Sequence, residues 1–106
     1  MHVHIDTIRG TAEVREAANL KQFSVRTTGP TDVDSLSRGL GELGRVDSTD
    51  HAWIDISALR AASGRSSDSD WSSGFEAMIA YAASKGWVDE TGTAVRAHIE
   101  ADAADI

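Results

Sequence analysis

Between Ala94 and Glu100 the chain alternates strictly, with Val95, Ala97 and Ile99 on one side and Arg96, His98 and Glu100 on the other. A two-residue period commits a segment to a β-strand with one face toward the core and one toward water. The same alternation occurs twice near the start. In "HVHIDTI", Val3 and Ile5 oppose His2, His4 and Asp6; in "KQFSVRT", Phe23 and Val25 oppose Gln22, Ser24 and Arg26.

Elsewhere the period lengthens. Over "TDVDSLSRGLGELG" the apolar residues Val33, Leu36, Leu40 and Leu43 make one helical stripe. Thr31 is the expected N-cap, Asp32 and Asp34 suit the first turn, and Gly44 can close the helix. Gly39 and Gly41 weaken it by about 1 kcal/mol each relative to alanine. Next, His51–Ile54 reads as a short strand, followed by a helix capped by Asp55 or Ser57 that carries Leu59 and ends at Gly64. The polar loop "SSDSD" offers caps for a further helix, which places Trp71, Phe75, Met78, Ile79 and Ala82 on one face and stops at Lys85 and Gly86. Trp87 and Val88 start a strand, "DETG" supplies turn residues, and residues 95–99 return as the second arm of a hairpin. "GTAEVREAANL" is divided: its alanines and glutamates favour a short helix, while Val14 between charges suits a strand. A helix is the expected reading there, and Leu36, Leu40, Phe75 and Ile79 are expected in the core.

The chain has 106 residues, which fits one domain able to bury a core without staples. It has no cysteine, which removes disulfides, thiolate nucleophiles and cysteine-ligated zinc together. No apolar run approaches the roughly 18 residues of a membrane span, and "MHVHIDTIRG" has no signal-peptide core, so the expected location is the cytoplasm. The net charge is −7 and is unevenly placed: residues 1–30 carry four basic and three acidic side chains, residues 31–106 six and fourteen. Such a surface repels phosphate backbones and favours basic partners.

The order from Thr31 is helix, strand, helix, helix, strand, strand. That order resembles the winged-helix superfamily over residues 31–100. The resemblance implies an α+β fold with a winged-helix-like core, a strand-containing extension at 1–30 and a tail at 101–106. It makes Trp71–Lys85 the recognition helix and Asp89–Thr93 the wing tip. DNA binding through that face would need cations. The helix instead exposes Ser72, Ser73, Glu76, Ala77, Ala80 and Ser84, with Lys85 only at its far end, and the tip is acidic. Nucleic acid is therefore not an expected partner, unless through Arg9, Arg15, Lys21 and Arg26.

Several residues invite a chemical reading. His2, His4 and Asp6 share a strand face at a spacing that can chelate a metal, if His51 or His98 completes the set; a solvated strand face explains them equally. His98 with Glu100 has the makings of a general base and its orienter, or of an ordinary cross-strand link. Trp53, Trp71 and Trp87 suit core packing, or a shared aromatic pocket for a small ligand. "GLGELG" has the letters of a dinucleotide loop but falls in a helix, where that motif cannot work. Ala77, Ala80 and Ser84 run down the outer side of their helix and would let another backbone approach, and "HVHIDTI" offers a strand edge for self-pairing. The expected function is a non-enzymatic protein-interaction module forming a homodimer, with no cofactor. A winged-helix transcription regulator is the alternative, and a small-ligand-binding protein or small enzyme the third reading.

Overall fold

The computed structural model describes residues 1–101. Its elements run β1 (His2–Asp6), β2 (Thr11–Arg15), β3 (Ser24–Thr28), α1 (Val33–Leu40), a 3₁₀ turn (Gly41–Leu43), β4 (Gly44–Val46), β5 (His51–Asp55), α2 (Ile56–Ala62), α3 (Ser69–Ser84) and β6 (Ala94–Ala101). The expected tail of 101–106 lies outside the described residues, except for Ala101, which ends β6.

All six strands join one sheet in the order β2-β1-β3-β6-β5-β4. β1, β3 and β6 run parallel to one another, and the flanking pairs are antiparallel. α1 touches β1 and β2 from one end of the sheet and β4 from the other, so the sheet curls around it. The result is a small α+β fold with a curled mixed sheet and three helices on its inner face.

This architecture overturns the winged-helix resemblance. The first thirty residues are no extension: they supply β1, β2 and β3, two of which lie inside the sheet. "TAEVR" is strand β2 rather than helix. As an edge strand it needs only one half-buried face, and Ala12 and Val14 provide it while Thr11, Glu13 and Arg15 stay exposed. β4 fills the other edge at "GRV". The expected hairpin over 87–99 is cut to its shortest form: one antiparallel bridge, Val88 to Val95, with the Arg96 N–H donating to the Trp87 carbonyl and the Asp89 N–H to the Ala94 carbonyl. Beyond it Asp89 closes a turn on itself, accepting the Thr93 N–H at 2.9 Å and the Ala94 N–H at 3.2 Å. Partial desolvation pushes the Asp89 carboxyl upward, but the Ala94 and Thr93 amides, with the Thr91 and Thr93 hydroxyls, outweigh it and hold its pKa below the usual value. The acidic "wing tip" is therefore a structural turn, and α3 packs against β6 instead of standing out as a recognition helix.

The inner face buries Val3, Ile5, Val25, Ile54, Val95 and Ile99 against Leu36, Leu40, Leu59 and Phe75. Ile79, expected among the most buried, is only partly so. Acidic caps start each helix: Asp32 for α1, where Thr31 was expected, Asp55 for α2 and Asp68 for α3. Each carboxylate takes a backbone N–H from the first turn. The Asp32 pKa is lowered, first by the Ser35 hydroxyl and then by the Ser35 N–H. Between β2 and β3, residues 16–23 cross over to the far side of β1. The terminal amine of Met1 pins this crossover through the Asn19 and Gln22 carbonyls. α3 holds it from the other side, and Leu20 sits where any side chain on Gly74 would clash, 2.6 Å from an added Cβ.

Candidate functional site

Because the helices take the inner face, the alternate residues of every strand look outward. All four histidines do so: His2 and His4 on β1, His51 on β5 and His98 on β6. Register then brings His51 opposite His98 and Trp53 opposite both Arg45 and Arg96. The His51 and His98 rings meet edge to face at 5.5 Å. The Arg45 guanidinium lies 5.6 Å from the Trp53 ring centre.

The sheet has a gap on this face. β3 pairs with β6 only from Val25–Ile99 onward, and residue 88 reaches β6 only at Val95. Between those contacts a cleft of about 210 Å³ opens, lined by Phe23, Trp87, His51, His98, Arg96 and the backbone of Ala97. A second hollow of about 120 Å³ continues it past Trp87 and Phe23 toward Lys21, Met78 and Tyr81. Trp87 is 44% exposed and Tyr81 59%, with their rings in edge-to-face contact at 6.3 Å. Neither hollow is lined by a carboxylate.

The three tryptophans do not share this cleft. Trp87 lines it. Trp53 lies under Arg45 on β5. Trp71 is in the core, stacked on Phe75 at 4.9 Å, and its indole N–H donates to the Ala17 carbonyl at 2.7 Å. The metal candidates have structural partners. His4 Nε2 and Thr28 Oγ1 are 2.9 Å apart. The Asp6 carboxylate accepts the N–H groups of Ile8 and Arg9, both at 3.1 Å. His2 faces Glu16, with Nδ1 3.5 Å from the carboxylate. Among the described residues no three such side chains gather closely enough to share an ion. Nor does Glu100 orient His98: its carboxylate lies 3.9 Å from Arg26.

Ala77, Ala80 and Ser84 are exposed together on α3, away from the core, with Tyr81 beside them. The segment "HVHIDTI" does not offer an edge, because β1 lies between β2 and β3; the free edges belong to β2 and β4. Among the described residues no helix is long and apolar enough to cross a membrane. Sequence reading placed Phe23 within one strand and Trp87 at the start of another but could not bring them together, since the cleft draws on four separated segments. Comparison with known proteins finds no match among family models, curated proteins or solved structures.

Proposed function

We propose that this chain is a non-enzymatic binding module whose working surface is the cleft beside β6. The observation that carries this is the opening between β3 and residue 88, where two aromatic rings and three cationic or imidazole side chains converge around Ala97. Concave apolar sites with a few convergent polar groups are the usual form of a ligand site. Binding is favoured over catalysis because no carboxylate or hydroxyl lines the cleft to act with either imidazole. The test is indole fluorescence during titration with small aromatic probes, the neutral amide benzamide among them. Quenching at millimolar concentration is expected in the native chain and not in Trp87→Ala. If no probe of any charge perturbs the emission, the reading fails.

A second reading is self-association through the outer side of α3. Two exposed aromatic rings, Tyr81 and Trp87, stand next to the small residues Ala77, Ala80 and Ser84. Exposed aromatics grouped in this way favour a partner surface. A twofold pair of α3 helices would bury them. Sedimentation equilibrium at high micromolar concentration is expected to give twice the chain mass, and Ala80→Glu the mass of one chain. A single-chain mass for the native protein ends this reading.

A further inference from the structure

We infer that the cleft takes a small flat anion, a single aromatic ring bearing a carboxylate, with the ring against Phe23 and Trp87 and the acid group on Arg96. The inference rests on the cleft being a binding site, and three features of its lining select the ligand class.

The first is charge. The chain carries a net −7, yet the cleft and its continuation present Arg96, Lys21 and two imidazoles, and no carboxylate. With Asp47 as the one carboxylate set against it, 3.9 Å from Arg96, the lining still carries more cationic than anionic side chains, and such a local excess attracts an anion over neutral and cationic molecules of the same shape.

The second is the state of Arg96. One guanidinium nitrogen lies 3.9 Å from the Asp47 carboxylate, too long for a hydrogen bond, so the planar fork is not closed on a protein partner. A guanidinium with free N–H groups matches a carboxylate two bonds at a time. His51 and His98 stand beside it, and each imidazole offers at least one N–H in either protonation state.

The third is size. About 210 Å³ falls short of the roughly 300–1,000 Å³ of pockets for drug-sized ligands, so the occupant is one ring and not an extended cofactor. Phe23 and Trp87 supply the apolar and stacking surface that a ring needs and a bare inorganic anion does not.

The experiment is a calorimetric or fluorescence titration of the full chain with four probes: benzoate, benzamide, benzylamine and inorganic phosphate. Benzoate is expected to bind about tenfold or more tighter than the neutral amide, the scale of a charge-assisted pair. In Arg96→Gln that preference is expected to fall to roughly threefold or less. Arg96→Lys keeps the charge but not the fork and is expected to lie between, which preserves the test if the glutamine variant folds poorly. Trp87→Ala is expected to weaken both ring-bearing probes. Equal binding of benzoate and benzamide overturns the anion inference and leaves the cleft reading standing. Phosphate binding as tight as benzoate and indifferent to Trp87→Ala also overturns it. Binding of none of the four removes the cleft reading itself.

Discussion

Gly39 rests directly on Ile5: a Cβ at residue 39 would come within 2.5 Å of the Ile5 Cγ2 methyl. The contact lets α1 settle onto β1 at the bottom of the curl. Ile5 is fully buried and β-branched, so the methyl has nowhere to swing. On helix propensity alone Gly39→Ala would stabilise by about 1 kcal/mol. Overpacking a closed core costs about 1–3 kcal/mol, and it is expected to win. Urea unfolding of Gly39→Ala should show a lower midpoint. In the Ile5→Ala background the same change should cost less or help, because the obstructing methyl is gone. A stabilised single variant would show that α1 can lift away from β1.

The Trp71 indole holds the crossover through the Ala17 carbonyl. Trp71→Phe keeps a ring to stack on Phe75 but removes the donor. Ala17 is only half-buried, so water can replace part of the lost bond, and a loss of about 0.5–1.5 kcal/mol is expected. Amide hydrogen exchange should rise first in residues 16–23, the segment this bond tethers. Unchanged protection there would show that the Met1 amine and Leu20 suffice.

Thr27 faces the core with its hydroxyl unpaired among the described residues. Thr27→Val keeps the shape and removes the orphaned group, so the chain should gain about 1 kcal/mol. A clear loss in thermal or urea unfolding would mean that the hydroxyl is satisfied in solution by a trapped water.

His2 makes stability depend on pH with a definite sign. Its side chain is 10% exposed. Burial lowers the imidazole pKa, Arg26 lowers it further, and the terminal amine and His4 act the same way; Glu16 opposes them without cancelling. The unfolded chain therefore takes up a proton at about pH 6.5 while the folded one still resists. Stability from this group is expected to fall as pH drops through about 6.5 and to level off below the folded pKa. Urea midpoints at about pH 7.5 and about pH 5.5 check this against His2→Gln, which should lose less on acidification. An equal loss in both chains would assign the effect to other groups.

The strands whose two faces differ sharply were legible without coordinates. β1, β3 and β6 alternate apolar with polar residues, and burial follows that alternation at Val25, Val95 and Ile99; in β1 the polar face is covered too, and His2 and His4 are buried along with Val3 and Ile5. α1 and α3 announced themselves by their apolar stripes, although α1 is capped by Asp32 and not by Thr31. β2 hid because its inward residues are small: Ala12 and Val14, with Glu13 between them and Arg15 and Glu16 following, read as helix when the partner strand is unknown. β4 hid because three residues led by Gly44 give no period to detect. The winged-helix order failed at a non-local fact, that β6 pairs at length with β5 and at its end with β3, and meets residues 87–88 only at a single bridge. The cleft was illegible for the same reason. Phe23, His51, Trp87 and Arg96 are each ordinary in their own segments, and only the gap between β3 and residue 88 gives them a common purpose.

The seam between β3 and β6 also sets a timetable. Among the described strands β6 comes last in the chain, yet it stands inside the sheet with β3 on one side and β5 on the other. Until Ala94–Ala101 has emerged, β2-β1-β3 and β5-β4 are two fragments, each ending in an open strand edge. Pairings so distant along the chain close slowly, and open edges attract other chains in the meantime. Assembly is therefore expected to wait for Ala94–Ala101 and to reward a chaperone that shields the β3 edge until that strand slots in.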